Sequence, residues 1–348
     1  MRLNSALLRD YYGRCNQTPV IGFFVGEYFP LHQYHAARGL PEGRLTVADI
    51  AAIDWTADYE RLYALHARCP GHLPFTASAF PGVPWLEAAL GCPMVADHVT
   101  GSCRALPAAA NDAWPEVPAY GDDNPWVSLC VQLTRALVAQ SAGRFALGTT
   151  LMRGVADALG ALLGMERLIF AMFDEPARVH RLAEQIADFW VRFAQAQLDC
   201  LPLVEGGTGS LYGLWVPGRC VVLQEDNASL LSPALYRSFI EPYDLAIAAA
   251  FEQCIFHLHP ARYMPYRPLL EMPLTAIELH LDRGGPTAQE LLPVYREILQ
   301  ARPLLIWGDC TAEDLRVLST ELSPEGLAIV PVVSQPDDAW ALWAELNA

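Results

Sequence analysis

Apolar positions in the second half of the chain alternate between short unbroken runs and longer stretches with helical spacing. The apolar run 145–152 is followed by a helical pattern over 155–163. A second helix is predicted over 176–200, where Val179, Leu182, Ile186, Phe189, Trp190 and Phe193 recur three or four residues apart. A strand over 220–224 leads to a helix over 233–251, opened by Ser232 as N-cap and Pro233 at the first helical position. The alternation then continues: strand 254–259, short helix 266–271, strand 275–281, helix 289–300, strand 303–307, helix 312–322, strand 327–333 and helix 337–346. Strands separated by helices of this length pair in parallel through crossover connections.

Two earlier runs, 20–25 and 73–79, bring the strand count to about eight. The predicted fold class is therefore α/β, a (β/α)8 TIM barrel with an N-terminal extension. A doubly wound sheet is the runner-up, weakened because no GxGxxG follows the first strand. The stretch 107–125, rich in Pro, Ala, Asp and Asn, reads as a long loop. One domain over 1–348 is expected, with the extension and first barrel elements in 1–125 and the main barrel body in 126–348.

Composition narrows the chemistry. Of 348 residues, 53% are hydrophobic and 18% charged, which suits a large core and argues against disorder. A net charge of −16 with no basic run excludes nonspecific binding to nucleic acid or to an anionic membrane surface. The chain contains no lysine, and all 23 basic residues are arginine. Schiff-base aldol chemistry, pyridoxal-phosphate chemistry and a P-loop lysine are thereby excluded. The nine cysteines are odd in number and scattered, with no CxxC, which argues against a disulfide framework or zinc ribbon. No apolar run reaches the roughly 18 residues of a membrane span. The first 17 residues lack the apolar centre of a signal peptide, so a cytoplasmic location is expected.

In parallel barrels, chemistry collects where strands end. The run 220–224 ends in Glu225 and Asp226. The run 254–259 carries His257 and His259, the run 275–281 carries Glu278 and His280 and leads into Asp282, and Cys310 follows the run 303–307. With a period of two, His257 and His259 face one side, as do Glu278, His280 and Asp282. Two imidazoles so placed can converge on one metal ion, and a carboxylate and the thiolate of Cys310 would complete an N/O/S zinc site. Arg153, just after the run 145–152, is a candidate anion clamp. Tyr212 and Trp215, in the glycine-rich stretch 206–218, are candidates for an aromatic wall.

Several strings resemble the uroporphyrinogen decarboxylase-like superfamily. They are Gly213-Leu-Trp-Val-Pro-Gly218, Gln224-Glu-Asp226, Leu231-Ser-Pro-Ala-Leu-Tyr236 through Ile240-Glu-Pro242, Phe256-His-Leu-His-Pro260 and Leu304-Leu-Ile-Trp-Gly-Asp309. Pro81-Gly-Val-Pro84 and Leu90-Gly-Cys-Pro93 are similar to its N-terminal segment. The resemblance implies either cofactor-free decarboxylation of a porphyrinogen or zinc-dependent methyl transfer among corrinoid proteins, methylated substrates and thiols. The decarboxylases' arginine-containing N-terminal motif is replaced here by Phe23-Phe-Val-Gly-Glu-Tyr-Phe29, which argues against the first activity. The methyltransferases' His-x-Cys-Gly strand becomes His257-Leu-His259-Pro260, and the last strand, Val330-Pro-Val-Val-Ser334, has no cysteine. Either His259 replaces a thiolate ligand, with Glu278 or Cys310 completing the site, or no metal is bound.

The leading expectation is a zinc-dependent methyltransferase-like enzyme acting on a small methylated substrate, with a corrinoid or thiol acceptor. Its metal ligands would be His257, His259 and Cys310, and its catalytic carboxylates Asp226, Glu225 and Glu278. Substrate would be bound by Arg153, Tyr212, Trp215 and His280. A homodimer and a corrinoid-carrying partner protein go with the resemblance. The alternatives are a metal-independent decarboxylase or lyase, with Arg153 holding a substrate carboxylate, and a non-catalytic binding protein on the same scaffold.

Overall fold

A computed structural model describes residues 3–108 and 113–346. Ten strands position the site: β1 (Val20–Ile21), β2 (Phe24–Val25), β3 (Thr76–Ser78), β4 (Ala146–Gly148), β5 (Met152–Arg153), β6 (Cys220–Gln224), β7 (Gln253–Leu258), β8 (Ala276–Leu279), β9 (Leu304–Gly308) and β10 (Leu327–Val333). Eight of them make one parallel sheet in the order β1-β10-β9-β8-β7-β6-β5, with β2 also paired to β10. β3 and β4 form a separate parallel pair. Since β5 continues the chain of β4 after three residues, this pair extends the β5 end of the sheet. The expected closed eight-stranded ladder is not seen, because among the described residues no strand pairing joins β1 to β3. The approach there consists of the His72 amide donating to the Ile21 carbonyl at 2.7 Å, and the Ile21 amide donating to His72 Nδ1 at 3.1 Å.

The strands are apolar throughout because both faces are covered. Positions 221, 223, 254, 256, 277, 279, 304, 306, 327 and 329 belong to the large core packed against the helices. Positions 222, 255, 276, 305, 307, 328 and 330 form a second core on the opposite face, together with Val20, Tyr212 and Trp215. This period-two division decides which residues can reach the site.

The helices follow their start signals. Ser232 Oγ accepts from the Leu235 amide, and Thr287 and Thr311 each close a capping box. The expected helix over 233–251 is two helices, Pro233–Phe239 and Glu241–Ala249. Pro242 has no amide proton for an interior helical bond, so the chain restarts with proline in the first turn of the new helix. The helices Pro125–Ser141 and Met165–Asp174 were not anticipated, nor was the antiparallel sheet of Gly43–Leu45, Met94–Asp97 and Ser102–Ala105. The expected loop over 107–125 is irregular where described, and residues 109–112 lie outside the described residues. No helix among the described residues is long and apolar enough to cross a membrane.

Candidate metal centre

The strands end in a pocket of about 570 Å³, lined by residues at or just beyond their C-terminal ends together with N-terminal residues such as Gln33, Tyr34, Tyr59 and Leu62. Register builds its polar row. Arg153 pairs with Gln224, Gln224 with His257, and His257 with Glu278, side by side across four strands. Two residues further on, the same face of the strands carries Asp226, His259 and His280.

Each histidine is gripped from behind by a carboxylate. His257 Nδ1 bonds Glu278 Oε2, and His259 Nδ1 lies 2.9 Å from both carboxylate oxygens of Asp282. These contacts leave the two ε nitrogens turned towards Asp226. His257 Nε2 lies 3.6 Å and His259 Nε2 3.8 Å from the same oxygen, Asp226 Oδ1. The other Asp226 oxygen accepts from Gln224 Nε2 at 2.6 Å, and its amide donates to Asp157 Oδ2 at 2.8 Å. His280 sits beside the cluster, with Nδ1 3.4 Å from Glu278 Oε1 and Nε2 3.7 Å from Asp282 Oδ1. Tyr212 stacks on His257 at 5.8 Å and 17°.

Asp226, His257 and His259 therefore form a donor set that a divalent metal fits. Asp226 Oδ1 and His257 Nε2 are buried without a hydrogen-bond partner, an arrangement that costs free energy unless something else binds there. Two donors on a tetrahedral zinc are roughly 3.3 Å apart, so spacings of 3.6 and 3.8 Å need little adjustment. Histidine ligands with the other ring nitrogen on a carboxylate are the usual supporting arrangement of such sites. His257, Glu278 and His280 form another group with ligand spacing, as do His259, His280 and Asp282. The His259, His280 and Asp282 group uses the carboxylate that already holds His259 Nδ1. The His257, Glu278 and His280 group, although Glu278 Oε1 and His280 Nδ1 are also without partners, is centred on a carboxylate that does not line the pocket, which favours the Asp226 group.

Without a metal, burial alone would lower the pKa of His257, but Glu278 and Asp226 outweigh it and push it up to about 10. Asp226 responds in the opposite sense: burial would raise it, and His257, His259 and Arg153 hold it below the usual carboxylate range. The centre is thus a tightly paired set of opposite charges.

Other expected site residues sit elsewhere. Glu225 belongs to the outward face of β6 and does not line the pocket. Its carboxyl accepts from the Ala156 amide at 3.0 and 3.1 Å, at the start of the helix Val155–Leu163, and is hydrogen-bonded to Asp244. A Cβ on Gly154 would lie 2.1 Å from Glu225 Oε1, so any larger residue there would displace the carboxyl from the Ala156 amide. Burial, then the charge of Asp244, raises Glu225 well above the ordinary carboxylate range. Cys310 has the same outward parity. It is buried in the helix-facing core, joins none of the groups with ligand spacing, and does not reach the pocket. Trp215 is fully buried under the site, with its indole N–H on the Val204 carbonyl and Arg9 over its ring. Glu278 supports His257 from full burial without touching the pocket. Arg153, Tyr212 and His280 do line it, but the Arg153 charge is already balanced by Glu87 at 3.3 Å. Gln224, Asp157 and Asp282 were not expected as site residues, although Asp282 shares the strand parity of His280.

No protein-family model matches the chain, and no curated protein matches it. Among solved structures, a methyltransferase from Methanosarcina mazei aligns over 98% of this chain and 97% of its own, with a TM-score of 0.62 and 10% identity. The likeness is one of fold. It spans both chains nearly end to end, so the scaffold is shared as a whole.

Proposed function

We propose that this chain is a zinc-dependent methyltransferase-like enzyme on a (β/α)8-barrel-like scaffold, with Asp226, His257 and His259 as the metal ligands. The observation that carries the reading is the convergence of three donor atoms in the pocket, each fixed from behind by Gln224, Glu278 or Asp282. The full-length fold likeness to a methyltransferase supports the choice of reaction class. Zinc bound there would act as a Lewis acid that lowers the pKa of a thiol or other acceptor. The chain's own residues hold the acceptor and methyl donor together. Tyr212 walls the side of His257, and His280, within reach of Glu278 and Asp282, is placed to exchange a proton with the bound acceptor. A corrinoid borne by a partner protein is one candidate methyl carrier, and a homodimer belongs to the same reading.

The test is metal content in tag-free protein, for the wild type and for His257→Ala, His259→Ala and Asp226→Ala. About one zinc per chain, lost in all three variants, is expected. A folded, metal-free wild type would overturn the proposal in favour of a metal-independent lyase. Arg153 offers that alternative little support, because its partner Glu87 already occupies the role of a substrate carboxylate.

A further inference from the structure

The pocket wall beside the metal ligands is aromatic, with Tyr212 stacked on His257 and Tyr28 and Trp307 packed against His280. Besides His280, at 5.1 Å and 51°, Trp307, only 6% exposed, meets three other rings that line the same cavity. They are Phe24 at 5.2 Å and 72°, Tyr28 at 5.2 Å and 85°, and Tyr212 at 5.5 Å and 65°. Rings meeting near right angles form adjoining walls rather than a stack. The Trp307 indole N–H is buried without a partner, leaving a donor for an acceptor carried by a ligand.

The charge of this cavity is one-sided. Glu27, Asp226, Asp282 and Asp309 line it, and Glu87 and Glu278 stand directly behind. The lining guanidinium groups are Arg153 and Arg283, and each is paired, with Glu87 and with Asp309 at 3.1 Å. Even a divalent ion at the Asp226 site leaves the carboxylates in excess. An anionic substrate would meet like charge in a low-dielectric space, whereas a cation is favoured there. A purely apolar ligand would use the rings but not the field.

We infer that the pocket takes a substrate bearing a methylated cation, of the quaternary ammonium class, seated against Trp307, Tyr28, Phe24 and Tyr212. This rests on the proposed function for its chemical purpose, but the binding claim stands on rings and charge alone. Aromatic faces attract such cations through their quadrupoles, most strongly when water is excluded.

The probe pair is choline and its uncharged carbon isostere 3,3-dimethylbutan-1-ol, which share size and hydroxyl and differ in the charge. Binding is measured by calorimetry, with zinc content read on the same samples. Choline is expected to bind about tenfold more tightly than the alcohol, a difference of about 1.4 kcal/mol. The preference should fall below about threefold in Trp307→Leu and in Tyr28→Leu, and survive largely in Trp307→Phe. Tyr28 is only partly buried, so its variant keeps the test open if Trp307→Leu fails to fold. Equal binding of the two probes, no binding of either, or a choline preference indifferent to both leucine variants overturns the inference. A protein that prefers choline but holds no zinc sinks the transferase reading and leaves the cation site standing. A zinc protein that ignores charge does the reverse.

Discussion

Glu225 and Asp226 are neighbours in the chain with the same acidic chemistry, yet they live in different environments. Asp226 faces inward, where two histidines and Arg153 hold it ionised beside the pocket. Glu225 faces the helices, where burial and Asp244 raise its pKa and its carboxyl accepts from the first turn of the helix Val155–Leu163. The same division runs along the other strands. His257, His259, Glu278 and His280 share the inward face, and Cys310 shares the outward one. On a parallel sheet covered on both sides, one residue of register separates a metal ligand from a structural group.

The largest break in this comparison comes from the inward side. His257→Ala is expected to take zinc content from about one per chain to background, since a tetrahedral site left with two protein ligands rarely persists. Glu225→Gln keeps the shape of its side chain and should leave zinc content unchanged. Loss of zinc in both variants would erase the distinction between the faces.

On the outward side the expected signature is in stability against pH. Burial, opposed by hydrogen bonds from Glu225 and Tyr236, raises Asp244 to about 7. A carboxyl with a raised folded pKa binds its proton more tightly in the native state, so stability is highest below the unfolded value near 4. It falls as pH rises towards about 7 and is level above that. One group changes stability by at most about 1.4 kcal/mol per pH unit across this window. Urea midpoints at pH 4 to 8 should show a shallower slope for Asp244→Asn than for the wild type; identical slopes would mean that Asp244 is ionised at little cost.

A smaller effect sharpens the role of the supporting carboxylates. Asp282 contacts His259 only through Nδ1, so Asp282→Asn should weaken zinc affinity by about 10- to 100-fold without abolishing binding. Competition with a chromogenic chelator measures this. A loss as complete as in His257→Ala would make Asp282 a ligand rather than a support for His259.

Much of the second half of the chain was legible because its signals are local. The apolar runs 220–224 and 327–333 became strands with those bounds, and 155–163 a helix with its own. Asp226, His257 and His259 could be picked out because polar residues ending apolar strands are conspicuous. Gln224 and Asp157 could not, since their roles arise from register across strands and from a helix start packed beneath β6. The helix Pro125–Ser141 went unread although Asn124 and Pro125 announce it, because the polar stretch before it drew the loop boundary to its first residue. The antiparallel sheet near the N-terminus has strands of three or four residues, too short to carry a period.

The parity of Cys310 could have been read from the sequence. Counting in twos from Leu305 along the inward face reaches Trp307 and Asp309, both of which line the pocket, and steps over Cys310. A thiol near a histidine cluster invites assignment as a ligand, but zinc requires the thiolate, and burial pushes the Cys310 thiol well above its ordinary pKa. The nearby carboxylates of Asp314 and Asp309 raise it further, and the apolar helix-facing core encloses it. Cys310→Ala should therefore leave zinc content at the wild-type level and remove only a small buried group, at about 1 kcal/mol. A melting temperature lower by about 2 °C is the expected reading. Zinc lost together with the thiol would place the metal on the far side of β9 and overturn the division of faces on which the site rests.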